Sequence, residues 1–467
     1  MSPRPKVSKF GGSSVANAGV IRRVAEIVKS DPSRKYVVVS APGKDSENTI
    51  KVTDMLISLA EEYCKGNSRG SEMWLKKLST RYYGLAGELG IENELVTSLM
   101  YDLQARVESY DGNRLKYLDS IKAFGEEACA RMVARFFKNE GINAQYVDPK
   151  DTGFIVTDTF GNSQLAVPLE GRLSESMKEV GAVTTVVFPG FFGYTENGDI
   201  ATFSRGGSDL TGAILAAAVD AEVYENFTDV DGIFRADPGI VDSPELIQYI
   251  TYGELRELSY MGFNVFHDEA IFPVIKRHIP THLKNTNNPG CHGTHIVGER
   301  IPNDNEIVTG IACKKGFCSV DVSKYLMNRE IGFMRKALQI FEDENISVEH
   351  VPSGIDSISV IFEQQQLNNG MLDRLVRRMY NELGVEDVKV RYNNTMVIAV
   401  GYGMVHRTGV AERLTGACAR EGINIEMINQ GSSEMSVVIG VSDSDAEKTV
   451  RAVYNEFYGK QKQERAA

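Results

Sequence analysis

The run Lys9-Phe10-Gly11-Gly12-Ser13-Ser14-Val15 passes from a short apolar segment through two glycines toward a helix-forming stretch near Ala16. Paired glycines let backbone N–H groups approach a phosphate, a helix start adds partial positive charge, and Lys9 brings a full one. The same strand–Gly-Gly–helix pattern also serves as a purely structural turn. A second run, Phe203-Ser204-Arg205-Gly206-Gly207-Ser208-Asp209, again precedes an apolar helix, which Ser208 can cap, and Arg205 offers a planar fork suited to a carboxylate. Its plainer reading is a capped helix with a surface Arg–Asp pair. A third, Phe227-Thr228-Asp229-Val230-Asp231-Gly232-Ile233-Phe234, directly follows a candidate strand, where ligands of open α/β sheets bind. Ser40-Ala41-Pro42-Gly43-Lys44 and Pro189-Gly190-Phe191 also follow apolar strands, and so many polar or Gly-rich turns are more than folding alone requires. The chain lacks both G-x-x-x-x-G-K-[ST] and the protein-kinase motif set, so any phosphoryl-transfer chemistry must rest on these turns.

Such turns need strands to leave and helices to enter. Tyr36-Val37-Val38-Val39, Val183 to Phe188 and Val223-Tyr224-Glu225-Asn226-Phe227 are short and mostly apolar, as strands covered by helices are. Val20, Ile21, Val24, Ile27 and Val28 recur at helical spacing, as do Leu210, Ile214, Leu215 and Ala218. The layout is α/β with a largely parallel sheet. Between Lys51 and Phe137 the chain is longer and helix-rich, with Gly66, Gly70, Gly84 and Gly90 as breaks, which predicts a helical excursion from the sheet.

The polar stretch from Gly298 to Asn305 reads as a linker, and beyond it the pattern changes to short alternating strands with two helices per unit. Cys318, Val320 and Val322 alternate as a strand, Arg329 to Glu344 suits a helix, Ile346 to Val351 and Ser357 to Phe362 suit strands, Met371 to Leu383 suits a helix, and Val388 to Arg391 closes the unit. The order then repeats with Val397 to Val400, a helix from Gly409 to Glu421, strands at Ile425 to Asn429 and Met435 to Val441, and a helix from Ala446 to Phe457. After that last helix only the polar Gly459 to Ala467 remains, whereas two candidate strands, Ile307 to Cys313 and Phe317 to Val322, precede the first unit's helix. Because an unpaired sheet edge would otherwise be left, Ile307 to Cys313 is assigned to the second unit's sheet. The expected domains are 1–300, 314–392 and 393–467, the last completed by 307–313.

A chain of 467 residues with 42% hydrophobic residues suits two or three domains. Its formal charge of -12 repels phosphate backbones, so nucleic acid is not expected as a partner. The start Met1-Ser2-Pro3-Arg4-Pro5-Lys6 has no apolar region behind its basic residues, and no apolar run is long enough to span a bilayer, so a cytoplasmic protein without membrane contact is expected. Six scattered cysteines without a C-x-x-C pair read as reduced thiols. Five of the seven histidines fall between His267 and His295, but Pro280 between His278 and His282 and the turn residues Asn288-Pro289-Gly290 and Gly293 argue against a metal site, and none is assigned.

Taken in order, Lys9 to Ser14, Thr53-Asp54-Met55-Leu56, Gly125-Glu126, Ser204 to Asp209 and Thr228 to Gly232 resemble the aspartate kinases of the amino-acid kinase superfamily. Gly409-Val410-Ala411, Gly422-Ile423-Asn424-Ile425 and Asn429-Gln430-Gly431-Ser432-Ser433 resemble that family's second ACT domain. The resemblance covers nearly the whole chain. It implies a three-layer kinase sandwich followed by two βαββαβ, ferredoxin-like ACT domains. It also implies transfer of a phosphoryl group from ATP, with Mg²⁺, to L-aspartate, at the start of lysine, threonine and methionine biosynthesis. By position, Lys9 would neutralise the transferring phosphoryl group beside Gly11, Gly12 and Ser13, with Asp209 orienting Lys9. Arg205 would clamp the α-carboxylate of aspartate, Glu126 would receive its ammonium, and Ser40 and Thr53 would add hydroxyl contacts. Gly206, Gly207, Ser208, Thr228, Asp229 and Phe234 would line the nucleotide and phosphate site.

In this chain Gly239 and Asn264 stand where many members of that family carry Arg and Lys, and Arg235, Lys276 or Arg277 are candidate substitutes. For regulation the resemblance implies a small amino acid, with lysine favoured, at the strand–helix turn Gly332-Phe333-Met334, with Glu363 meeting its distal ammonium. ACT pairing implies a homodimer or higher homo-oligomer. The competing readings are an amino-acid sensor with a degraded kinase domain and a related kinase acting on another carboxylate.

Overall fold

The apolar runs are buried on both faces: Val37, Val38 and Val39 are wholly inaccessible. The computed structural model describes residues 4–204, 206–263, 268–301, 306–368 and 370–459. The strands of the first part are β1 (Lys6–Phe10), β2 (Arg34–Val39), β3 (Ala144–Tyr146), β4 (Thr185–Pro189), β5 (Phe192–Tyr194), β6 (Ile200–Thr202), β7 (Val223–Thr228), β8 (Tyr249–Thr251), β9 (Thr281–Asn285) and β10 (Thr294–Val297). Its helices are α1 (Ala18–Lys29), α2 (Val52–Cys64), α3 (Ser68–Leu89), α4 (Asn93–Glu108), α5 (Arg114–Asn139), α6 (Pro149–Thr152), α7 (Arg172–Val183), α8 (Gly207–Ala218), α9 (Tyr252–Tyr260) and α10 (Phe272–Lys276).

Eight of these strands form one sheet in the order β3-β4-β2-β1-β7-β9-β10-β8. Only the β9–β10 pair is antiparallel. Phe10, Val37 and Val39 enter a core shared with α1, α2 and α5. Strand alternation therefore turns Lys9 and Val38 to the other face, where α8 packs on β1, β2 and β7. Polar Glu225 is tolerated inside β7 because Arg34 grips it with two bonds of 2.7 and 2.9 Å and the Ser8 hydroxyl donates at 2.7 Å. The helical excursion is α2 to α5. Among the described residues no helix is long and apolar enough to cross a membrane.

The chain divides into two compact units, and Phe234–Glu245 and Gly253–Asn264 cluster with the C-terminal residues from Ile301 onward rather than with the rest of 1–300. Polar contacts explain why. Arg235 donates to the Thr309 carbonyl at 3.1 Å, and the wholly buried Glu254 accepts from the Thr309 hydroxyl at 2.6 Å and the Tyr402 amide at 2.8 Å.

In this second unit β11 (Gly310–Ser323), β12 (Ser357–Glu363), β13 (Asp387–Val400), β14 (Met427–Gln430) and β15 (Ser436–Ser442) make one antiparallel sheet, ordered β12-β11-β13-β15-β14. The helices α11 (Phe333–Asp343), α12 (Met371–Leu383), α13 (Val410–Arg420) and α14 (Ala446–Tyr454) supply its two apolar cores. Of Ile307 to Cys313, which the strand count assigns to the second repeat, Gly310–Cys313 pairs with Val400–Val397 beside β15, and the Thr309 N–H donates to the Val400 carbonyl at 2.6 Å. After a register shift between Lys314 and Phe317 the same strand continues as the centre of the first repeat, between β12 and the first half of β13. The two repeats thus share two long strands instead of owning separate sheets. The segment Ile346 to Val351, expected as a strand, contributes only an isolated bridge between His350 and Ile361.

Candidate active site

Parallel neighbours with matched register bring their C-terminal ends to one sheet edge. Phe10 pairs with Val39 and with Phe227, and Val39 pairs with Pro189. The turns beginning at Gly11, Ser40, Gly190 and Thr228 therefore lie side by side, about 5 Å per strand apart.

Lys9, one residue before this edge, directs its ammonium to Asp209 in the first turn of α8, with Nζ 2.5 Å from Oδ1. The two side chains are only 10% and 15% exposed, so the pair is largely shielded from water. Asp209 is held from a second direction, because the Asn226 amide donates to the same Oδ1 at 2.7 Å and the Tyr224 hydroxyl donates to the Asp209 carbonyl at 3.0 Å. Asn226 is the register partner of Lys9 on β7, so both point to the α8 face. Sequence reasoning missed Asn226; its one signal is a polar residue inside a run otherwise fit for burial.

Backbone packs on backbone at the glycines. The Gly43 N–H donates to the Gly12 carbonyl at 2.9 Å, and a Cβ on Gly43 would fall 2.7 Å from the Gly12 carbonyl group. Gly11 donates to the Phe227 carbonyl at 3.2 Å, and its Cβ position lies 3.4 Å from the Lys9 ammonium. Ser13 lies in the single 3-10 turn Gly12–Val15. Arg81 from α3 braces the turn, donating to the carbonyls of Ala16 at 2.9 Å and Gly43 at 2.7 Å.

Glu126 approaches from α5. Its neighbour Gly125 lets the helix come so close that a Cβ there would lie 2.9 Å from the Ala41 side chain. Glu126 is 5% exposed, and burial pushes its carboxyl up to about 8, opposed by the Ala41 N–H and the Lys122 ammonium. Its Oε2 is buried with no hydrogen-bond partner among the described residues. A buried carboxylate oxygen in that state is unstable by itself and complementary to an arriving cation. Ser40 follows β2 directly, with its N–H donating to the Phe10 carbonyl at 3.2 Å, and Thr53 lies in the first turn of α2.

At the start of α8 the capping residue is Gly206 in a left-handed conformation (φ 76°), with no side-chain cap. Ser208, expected to cap, lies inside the helix, where its Cβ stands 2.7 Å from the position a Gly190 Cβ would take. Gly207 is buried against Phe191, whose own φ is 76°. Arg205 lies outside the described residues, as does Asn264. Thr228 ends β7 and is half-buried, and its hydroxyl donates at 3.1 Å to the exposed Asp229 that follows. Phe234 and Gly239 belong to the second unit.

The candidate substitute cations are separated by their partners. Arg235 is engaged within the second unit by Glu306 at 3.0 Å and Glu245 at 3.5 Å, and Arg277 pairs with Glu170. Lys276 lines a cavity of about 780 Å³ with Ser204, Gly207 and Phe203, beside the start of α8.

In the second unit Gly332 (φ 78°) caps α11, Phe333 is buried and Met334 is 43% exposed. Glu363 is not beside them. It pairs with Phe317 at one end of β12, while the strand end leading toward Gly332 is at the Ser323–Ser357 pair, six residues and about 20 Å away. Glu363 already binds an ammonium, that of Lys314, which also lies 5.3 Å from the Tyr260 ring centroid.

The amino acid kinase family profile matches residues 4–285, and an ACT domain profile matches residues 397–457. Aspartokinase 3 of Bacillus subtilis is 44% identical over 97% of this chain and 98% of its own length. Chloroplastic aspartokinase 1 of Arabidopsis thaliana is 28% identical over 97% of this chain and 80% of its own. The crystal structure of Clostridium acetobutylicum aspartate kinase superposes with a TM-score of 0.85 at 37% identity, covering 97% of this chain and 100% of the other. Escherichia coli aspartokinase III, solved with lysine and aspartate, shares the fold with a TM-score of 0.76 at 24% identity, covering 97% and 99%.

Proposed function

This chain belongs to the amino acid kinase family, among the aspartokinases with C-terminal ACT domains, and from that premise we propose a specific division of labour for phosphoryl transfer to L-aspartate. The observation that carries it is the unpartnered buried oxygen of Glu126 beside Ala41, one strand end away from the Lys9–Asp209 pair.

The α-ammonium of aspartate fills the vacant side of Glu126 and draws its carboxyl into the ionised form. Arg205, Ser40 and Thr53 hold the carboxylates. Gly11 and Gly12 bring backbone close to the phosphates, with Ser13, Gly206, Gly207, Ser208, Thr228 and Asp229 around the nucleotide, and Lys276 supplies a cation there. The side-chain carboxylate of aspartate is an anion at neutral pH, so no general base is needed. One of its oxygens forms the new bond to the γ-phosphorus while the bond to the β-phosphate oxygen breaks, leaving ADP and 4-phospho-L-aspartate. Lys9 offsets the charge on the moving phosphoryl oxygens, and Asp209 with Asn226 keeps the ammonium aimed. Mg²⁺ carried by the nucleotide would neutralise charge on its phosphates.

Lysine is the proposed effector, binding at Gly332–Met334, in a cytoplasmic homodimer formed through the ACT repeats and acting at the head of lysine, threonine and methionine biosynthesis. Escherichia coli aspartokinase III, of the same fold, was crystallised with lysine and aspartate.

Incubation with Mg-ATP, hydroxylamine and a panel of amino acids tests the catalytic reading, because hydroxylamine traps acyl phosphates. Hydroxamate forms with aspartate alone if the reading is right; none with aspartate, or an equal yield with glutamate, overturns it. Separate titrations with lysine and threonine test the effector, and indifference to lysine removes it.

A further inference from the structure

Asp119, Lys122 and Glu126 occupy positions i, i+3 and i+7 of α5, a spacing that stacks them along one helix face. Asp119 is 1% exposed and saturated with donors. Its Oδ2 accepts from the N–H groups of Gly161 at 2.7 Å and Thr202 at 2.8 Å, and its Oδ1 accepts from the Thr202 hydroxyl at 2.8 Å and the Lys122 ammonium at 2.7 Å. Lys122 also donates to the Thr202 hydroxyl at 3.0 Å and lies 5.6 Å from the centroid of Phe191, the residue that follows Gly190 at the site edge. Thr202 is the last residue of β6, five positions before Gly207, the first residue of α8. A single carboxylate thus ties the helix carrying Glu126 to the strand that precedes α8, and a fixed cation stands beside the tie.

We propose that Asp119 and Lys122 are positioning residues of the acceptor site, setting the separation between Glu126 and the start of α8 at Gly207, with Lys122 as the cation that admits an acceptor bearing two carboxylates. The proposal rests on the aspartate kinase reading. An ionised Asp119 alone would repel such an acceptor, and Lys122 cancels that charge at 2.7 Å. The groups facing Glu126 are the Ala41 N–H, Lys122, Cys129 one turn further along α5, and Tyr82 from α3. Burial pushes Cys129 and Tyr82 up, so both stay neutral, and Lys122 carries the positive charge of the group.

The test uses the full chain with K122M and K122R, measuring KM for aspartate and for ATP between about pH 6.5 and 9. Asp119 keeps its three bonds to Gly161 and Thr202 in both variants, and K122R also keeps the counter-charge, so thermal unfolding of the pair separates a loss of fold from a loss of acceptor affinity. The expected result is an aspartate KM raised about tenfold, an ATP KM within about twofold of wild type, and an aspartate affinity profile moved to higher pH, with K122R restoring most of each. Parallel rises in both KM values, or an unmoved pH profile, would overturn the inference. A wild-type chain that makes no aspartyl hydroxamate sinks the parent reading instead, whereas an active wild type matched by K122M sinks this proposal alone.

Discussion

The Lys9 ammonium and the Asn226 side-chain amide meet on one oxygen, Asp209 Oδ1, at 2.5 and 2.7 Å. Two adjacent strands thereby fix the carboxylate that aims Lys9, and neither strand can shift without loosening it. Consequences for activity and stability follow directly.

Removing the charge of Asp209 with D209N leaves Lys9 nearly buried without its counter-ion. The kcat should fall about 10²–10³-fold with a smaller change in either KM, because the loss is greatest where phosphoryl charge moves. Thermal unfolding should report a loss of up to about 3–5 kcal/mol, the usual cost of breaking a shielded pair on one side. A D209N enzyme with wild-type kcat would remove Lys9 orientation from the mechanism.

Glu126 gives the site a pH signature. With its carboxyl raised to about 8 in the free enzyme, it carries a proton at neutral pH, and aspartate must displace that proton to place its ammonium there. Aspartate KM should therefore fall as pH rises toward 8, and calorimetry in buffers of different ionisation enthalpy should detect proton release on binding. The sign for stability is opposite. A group that holds its proton more tightly when folded stabilises the protein below the ordinary carboxylate range and loses that contribution as pH climbs through about 8. E126Q should flatten both profiles.

Two glycine substitutions separate close packing from simple flexibility. G43A places a methyl 2.7 Å from the Gly12 carbonyl group, where only backbone could yield, and should raise the ATP KM at least about tenfold. G84A, inside α3 with nothing within 4 Å of its Cβ position, should leave kinetics unchanged and stabilise by about 0.5–1 kcal/mol. Equal kinetic effects from the two would refute the packing argument.

The pairing of Glu363 with Lys314 predicts a structural role for that carboxylate. Lys314 holds the Glu363 carboxyl below its usual range, so the contribution is present at neutral pH and fades on acidification. E363Q should lower stability by about 1 kcal/mol while leaving the proposed half-maximal inhibition by lysine within about threefold. A loss of lysine sensitivity in a stably folded E363Q would restore Glu363 to the effector site.

Much of the architecture was legible because period and composition report burial locally. Alternating apolar runs ending in Gly-rich turns marked β1, β2, β4 and β7, and parallel pairing then brought their ends together. The repeated strand and helix order beyond residue 300 marked two similar units, and counting their strands singled out Ile307 to Cys313 as a segment needing a partner, of which Gly310–Cys313 pairs with β13.

What the order of residues could not supply was the choice of polar partners. Asp119 and Thr202 are 83 positions apart, and nothing local signals that one saturates the other. Glu363 reads as available for an effector until folding puts Lys314 against it, and Arg235 reads as a spare cation until Glu306 and Glu245 engage it. Burial follows from hydrophobic pattern and is written along the chain. The pairing of charges depends on which desolvated groups arrive within about 3 Å of each other, and only the packed tertiary structure decides that.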